Sequence, residues 1–139
     1  MDNHKIQELL GLDVGSARIG IARGNTLAKI AEPLKTVAAS AAFEEMRHLA
    51  KLHSSEAIVV GLPRSLDGNE TDQTRAVRRW VKQAQMAIAL PFFWQDEALT
   101  SQQAESRKPK GHDVGSDARA AAMILQDFLD SNEDDRVAV

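Results

Sequence analysis

No cysteine occurs among the 139 residues, which excludes disulfide scaffolds, thiol catalysis and every Cys-based zinc site. Long apolar runs are missing too. The longest, residues 86–94, is nine residues and contains Pro91, far short of the roughly 20 needed to span a bilayer. His4, Lys5 and Glu8 precede any long apolar core, so the beginning does not read as a signal peptide and a cytoplasmic address is expected. The four histidines, His4, His48, His53 and His112, are scattered. None forms a pair with metal-ligand spacing, and zinc hydrolysis is a poor fit. Positive charge is not in excess either: 17 Lys+Arg stand against 20 Asp+Glu, a net of −3. That argues against a constitutive nucleic-acid coat protein, which should be basic. It leaves room for an enzyme acting on nucleic acid, which needs carboxylates of its own to hold metal.

What is present is enough to fold. Apolar residues make up 43% and charged residues 27%, and a domain of this length buries roughly 68–70% of its unfolded surface. One domain over residues 1–130 is expected, followed by an acidic, flexible tail over 131–139. Residues 132–136 alone carry −2 of the net charge. Basic residues cluster at Arg75, Arg78, Arg79 and Lys82, and again at Arg107, Lys108, Lys110 and His112.

Hydrophobic periodicity predicts strands over 5–14 and 18–22, separated by the turn signal Gly15-Ser16-Ala17, and a third over 31–37. Pro33 would suit an edge there. Residues 43–53 place Phe43, Met46, Leu49 and Ala50 at helical spacing. The continuous apolar run over 57–62 reads as a strand covered on both faces. A helix over 71–90 buries Val77, Trp80, Val81, Ala84 and Ile88. A short strand over 92–95, a short helix over 101–107 and a last helix over 117–129, capped by Ser116, complete the chain. The order β-β-β-α-β-α-β-α-α predicts an α/β fold: a mixed sheet, antiparallel at first and then extended in parallel by crossovers, with helices on its faces. Trp80 and Trp94 read as core residues.

Three carboxylates stand out. Asp13 lies in an apolar strand, Leu9-Leu10-Gly11-Leu12-Asp13-Val14-Gly15, where an ionised group loses solvation and is rarely kept without a partner or a metal. As a strand-end residue capping the next turn it has an equally ordinary explanation. Asp96 and Glu97 end the last strand, where open α/β sheets bind ligands. Adjacent strand residues point to opposite faces, so only one can join Asp13. The pattern does not choose between them. Asp117 heads the apolar stripe Ala121, Ile124, Leu125, Phe128 of the last helix, although a first-turn acid also simply complements the helix dipole. Together the three could converge on one side of the sheet. Like charges so close raise each other's pKa, and a hard divalent cation, Mg²⁺ or Mn²⁺, would relieve that. Two ions about 3.5–4 Å apart can clamp a phosphodiester.

These residues carry a family resemblance. Gly11-Leu12-Asp13-Val14-Gly15 with Arg18-Ile19-Gly20-Ile21-Ala22 resembles the opening motif of the YqgF/RuvX family, Holliday-junction-resolvase-like proteins regarded as pre-16S rRNA nucleases. Val59-Val60-Gly61-Leu62-Pro63 with Gly68, Asp96-Glu97-Ala98-Leu99-Thr100-Ser101, and the run from Asp117 to Leu125 are similar to its three later motifs. The resemblance implies an RNase H-like fold with five strands in the order 3-2-1-4-5. It also implies metal-dependent nuclease activity, with two Mg²⁺ or Mn²⁺ ions on Asp13, Glu97 and Asp117. One departure is plain: the family's arginine after the glutamate is Ala98 here. Arg18, Arg64 or the loop bearing Arg107, Lys108 and Lys110 would then contact substrate in its place. The loop is the favoured element, being polar and broken by Pro109 and Gly111. The four charges of the 71–90 helix read first as a solvated face.

The leading expectation is a nuclease acting on structured nucleic acid, pre-rRNA before branched DNA, with ribosomal precursor particles as a further partner and no membrane partner. A Holliday-junction-type resolvase and a non-cleaving nucleic-acid-binding module are the alternatives. A sugar-kinase or actin-like ATPase ranks last, because such proteins close two domains over ATP.

Overall fold

The structure is a computed structural model and describes residues 6–98 and 114–139. The short helix expected over 101–107 and the loop with Arg107, Lys108 and Lys110 lie outside these residues. Three strands come first: β1 (Glu8–Val14), β2 (Arg18–Asn25) and β3 (Glu32–Ala38). Helix α1 (Ala42–Leu52), strand β4 (Ala57–Arg64), helix α2 (Asp72–Ala87) and strand β5 (Phe92–Ala98) follow. Helix α3 (Val114–Asp130) and a short strand β6 (Val137–Ala138) complete the described chain.

The strands form one sheet in the order β3-β2-β1-β4-β5-β6. β1, β2 and β3 pair antiparallel, while β4 joins β1 and β5 joins β4 in parallel. The meander followed by parallel crossovers is therefore as the hydrophobic pattern predicts. Pro33 sits on the edge strand, beside a register shift between Ile21 and Ala22 that absorbs its missing amide.

Two expectations are corrected. The sheet has six strands and not five, and the segment read as a flexible tail supplies the sixth. Val137 and Ala138 pair antiparallel with Trp94 and Phe93, and the Val139 amide donates to the Phe92 carbonyl at 3.0 Å. An uncovered β5 would present a row of unpaired backbone groups. The acids of the segment fold into a single 3₁₀ turn, Glu133–Asp135. Beyond them, Arg136 lays its guanidinium over the Phe128 ring at 4.6 Å. The acidic composition hid the short Val-Ala-Val run that follows.

Two cores separate along the sheet. Leu10, Leu12 and Val14 of β1 pack with Ile19, Ile21, Ile58, Val60 and Leu62 against α1 and α2. Trp80 and Trp94 pack at the margin of this core as expected, Trp80 beside Phe43 with ring centres 5.4 Å apart. On the other face, Leu9, Ala22, Ala57 and Val59 meet Ala121, Ile124, Leu125, Phe128 and Leu129 of α3. Helix α3 begins at Val114, so Ser116 lies inside its first turn and is not the cap expected from sequence. Gly115 and Ser116 cost little there, because first-turn amides lack intrahelical partners in any case.

Candidate active site at the carboxyl end of the sheet

Strand alternation decides which acids share a face. On β1, Leu9, Gly11 and Asp13 look toward α3, and the intervening leucines look toward α2. Asp13 is only 8% exposed, deep for a carboxylate. Its cross-strand neighbour is Gly20 of β2, and Gly20 explains how α3 comes so near. A Cβ built on Gly20 would stand 1.9 Å from the carbonyl oxygen of Asp117. Only a residue with no side chain admits the first turn of α3 at that distance. Gly11 repeats the device further along the helix, where a Cβ would fall 2.6 Å from the Cβ of Leu125. Asp13 and Asp117, distant in sequence, therefore both border Gly20.

The ambiguity between Asp96 and Glu97 also resolves. Phe93 faces α3, with its ring centre 5.7 Å from that of Phe128. Gln95 and Glu97 follow it on the same face, and β5 runs unbroken through Ala98. Glu97 thus shares the face of Asp13. Asp96 points to the other side, where Arg64 donates to it from Nε at 3.1 Å. Glu97 is nevertheless set apart. The β1–β4 register, continued by one residue, puts Asp13 level with Gly61, which pairs with Gln95. Glu97 then lies two strands across, about 10 Å, and two residues, about 7 Å, further on.

The cationic residues divide. Arg18, the first residue of β2, lies on the α3 face, and its Nε donates to Asp117 Oδ2 at 2.8 Å. Arg64 does not join the acids. It occupies the opposite face, bonded to Asp96, with Glu70 at 3.9 Å. It is the direct β-partner of Ala98, and so stands beside the position of the family's missing arginine while being held by those two carboxylates. On α2, Arg78 grips Glu70 through two bonds of 2.9 and 3.0 Å, and Arg75 pairs with Asp72. The Arg78 guanidinium, with Arg64 and Arg75 nearby, holds the Glu70 carboxyl below its usual range. These charges lie on the face away from Asp13, consistent with a solvated surface. Arg107, Lys108 and Lys110 fall outside the described residues.

Asp13, Glu97 and Asp117, the acids of the α3 face, offer carboxylate oxygens, which suit Mg²⁺ or Mn²⁺. Asp13 and Asp117 fit such an ion by face, by level and by their common border on Gly20. Among the described residues, however, no three acidic or histidine side chains gather closely enough to hold a metal ion. Glu97 stands two strands away from Asp13, and Asp117 is paired with Arg18. The sequence singles out the three acids but not the Arg18–Asp117 pair. Its signal was the placement of Arg18 two residues before a glycine that faces the same helix.

The fold is that of RNase H-like proteins. It resembles Thermus thermophilus RuvC in complex with Holliday junction substrate, with a TM-score of 0.60, 13% identity, and coverage of 96% of this chain and 99% of that one. Sequence carries the assignment further. The family described as "RuvX: Holliday junction resolvase" matches residues 7–131, and the chain belongs to that family. A relative from Paraburkholderia xenovorans, named "Putative pre-16S rRNA nuclease", is 39% identical over 91% of this chain and 90% of its own. Another of the same name, from a Roseiflexus species, is 36% identical over 88% and 94%.

Proposed function

We propose that this protein is a divalent-metal-dependent nuclease that hydrolyses phosphodiester bonds of structured nucleic acid, with the 5′ end of pre-16S rRNA as the favoured substrate and the cytoplasm as its site of action. The observation that carries this reading is a nine-tenths buried Asp13 opposite Gly20, the glycine against which the backbone of Asp117 packs, at the carboxyl end of the sheet. The names of the 35–39% identical relatives support the choice of RNA.

Asp13 and Asp117 would hold the ion, and Glu97 would approach from the β5 side. Bound there, the metal supplies Lewis-acid stabilisation of the phosphoryl oxygens and a more acidic water. The protein's own share is positional. Asp13 is fixed by β1, whose pairing on both sides keeps its backbone still. Asp117 is fixed by a helix that cannot slide without striking Gly20. Arg18 lies beside them, where it can meet a phosphate oxygen, and a guanidinium suits that geometry. Arg107, Lys108 and Lys110 would extend the contact along the backbone of the substrate. Arg64 has a lesser claim, because it sits on the other face.

The test is cleavage of structured RNA bearing the pre-16S 5′ region, with Mg²⁺ or Mn²⁺, beside a four-way DNA junction of equal length. Wild-type protein should cut the RNA, and Asp13→Asn should lower the rate at least about a hundredfold while leaving the fold intact. Undiminished cutting by Asp13→Asn would end the assignment of this site. A second reading, branched-DNA cleavage, is favoured by the family's description and by the RuvC-like fold, and preferential cutting of the junction would establish it instead.

A further inference from the structure

The Arg18–Asp117 contact sets a guanidinium on the carboxylate that the proposed reading gives to a metal. We infer, on that reading, that Arg18 and the divalent ion compete for Asp117: Arg18 holds the carboxylate neutralised and aimed until an ion displaces it, and the displaced guanidinium is then free for a substrate phosphate.

Three observations carry the inference. The bond is charge-assisted and well formed, with Nε 2.8 Å from Oδ2. It is not locked by burial, since the two side chains keep 33% and 20% of their exposure, so water and ions reach it. Only the side chain of Arg18 is free to exchange. Its backbone is pinned by pairing with Ala38 and by the Gly15 amide, which donates to the Arg18 carbonyl at 2.9 Å. The guanidinium occupies Oδ2 of Asp117, so it draws on the same negative charge that a divalent cation would use and leaves only part of the carboxylate open to ligation. Placing both cations there would set three positive charges against the two negative charges of Asp13 and Asp117. An exchange relieves this. It leaves Arg18 within a side chain's length of the site, where a phosphate dianion or diester offers the opposite charge.

The alternative is that Arg18 is a clasp, holding the first turn of α3 to β2 and nothing more. The two differ in sign. A competitor's removal tightens ion binding, whereas a clasp's removal loosens Asp117 and weakens it. MnCl₂ is titrated calorimetrically into the full chain, wild type and Arg18→Gln, without nucleic acid. The competing pair should make Arg18→Gln bind Mn²⁺ more tightly, by about fivefold if the exposed pair is worth what such pairs are usually worth. Equal or weaker binding by a folded Arg18→Gln protein overturns the inference and leaves the metal reading standing. An absence of binding heat in wild type and variant alike overturns both. Should Arg18→Gln not fold, the wild-type Arg18 Nε–H signal in NMR decides. It should shift as Mg²⁺ saturates the protein, and a signal unmoved at saturation refutes the exchange.

Discussion

The two faces of the sheet are built on opposite principles. Toward α1 and α2, nearly every strand position carries a large aliphatic side chain: Leu10, Leu12, Val14, Ile19, Ile21, Ile58, Val60, Leu62. Toward α3, the same strands present Gly11, Gly20, Gly24 and Gly61 among Leu9, Ala22, Ala57 and Val59. One face keeps its helices at a distance set by side chains. The other lets a single helix settle almost onto the backbone, and at that helix's amino end Asp117 takes Arg18 and borders the glycine that lies opposite Asp13. The first face is a conventional core. The second gives up strand side chains for proximity, and the proposed metal site lies where proximity is greatest.

Substitutions can break or sharpen that contrast. Phe128→Ala empties a fully buried site on α3, between Phe93 and Arg136. It should lower unfolding stability by about 4 kcal/mol in a urea titration. Gly20→Ala should cost about 3 kcal/mol through overpacking, because the methyl group would meet backbone that cannot rotate away. It should also abolish Mn²⁺ binding by pushing the first turn of α3 off Asp13. A matched enlargement on the other face, Val60→Ile, also overpacks a buried position. It should cost about 1 kcal/mol in the same titration and leave Mn²⁺ binding unchanged. A Gly20→Ala protein as stable as wild type would mean that α3 is free to lift, and the contrast would fail.

The smallest effect concerns acid. The folded-state pKa of Glu70 is depressed by Arg78. Its contribution is therefore present above the unfolded carboxyl value and is lost as pH falls through the lower folded value. Glu70→Gln should slightly flatten the fall in stability below about pH 4, with little change at pH 7, because the pair is exposed. Chemical unfolding at a series of pH values measures this.

Much of this arrangement is legible in the chain. Residues 9–14, apolar toward both faces, and the 3.6-residue stripe Ala121, Ile124, Leu125, Phe128 determine both layers, since the strand needs cover on each side and the helix has one apolar face to bury. The three acids are legible because a carboxylate in or heading an apolar pattern is costly without a reason. Three features are less so. Strand β6 depends on an open edge at β5, which exists only once the sheet is assembled. The choice between Asp96 and Glu97 depends on where Phe93 points, a matter of register. The Arg18–Asp117 pair joins residues 99 apart in sequence, and what brings them together is the missing side chain of Gly20, a residue that reads locally as nothing more than a weak strand former.

The most direct test of the central claim, that Asp13 and Asp117 hold one cation across Gly20, is a crystal structure of the protein grown with MnCl₂ and read by anomalous scattering. The expected result is a manganese peak about 2.2 Å from a carboxylate oxygen of each, with Arg18 turned away from Asp117. Manganese bound elsewhere on the surface, with Asp117 still on Arg18 and Asp13 touching no metal, would contradict it.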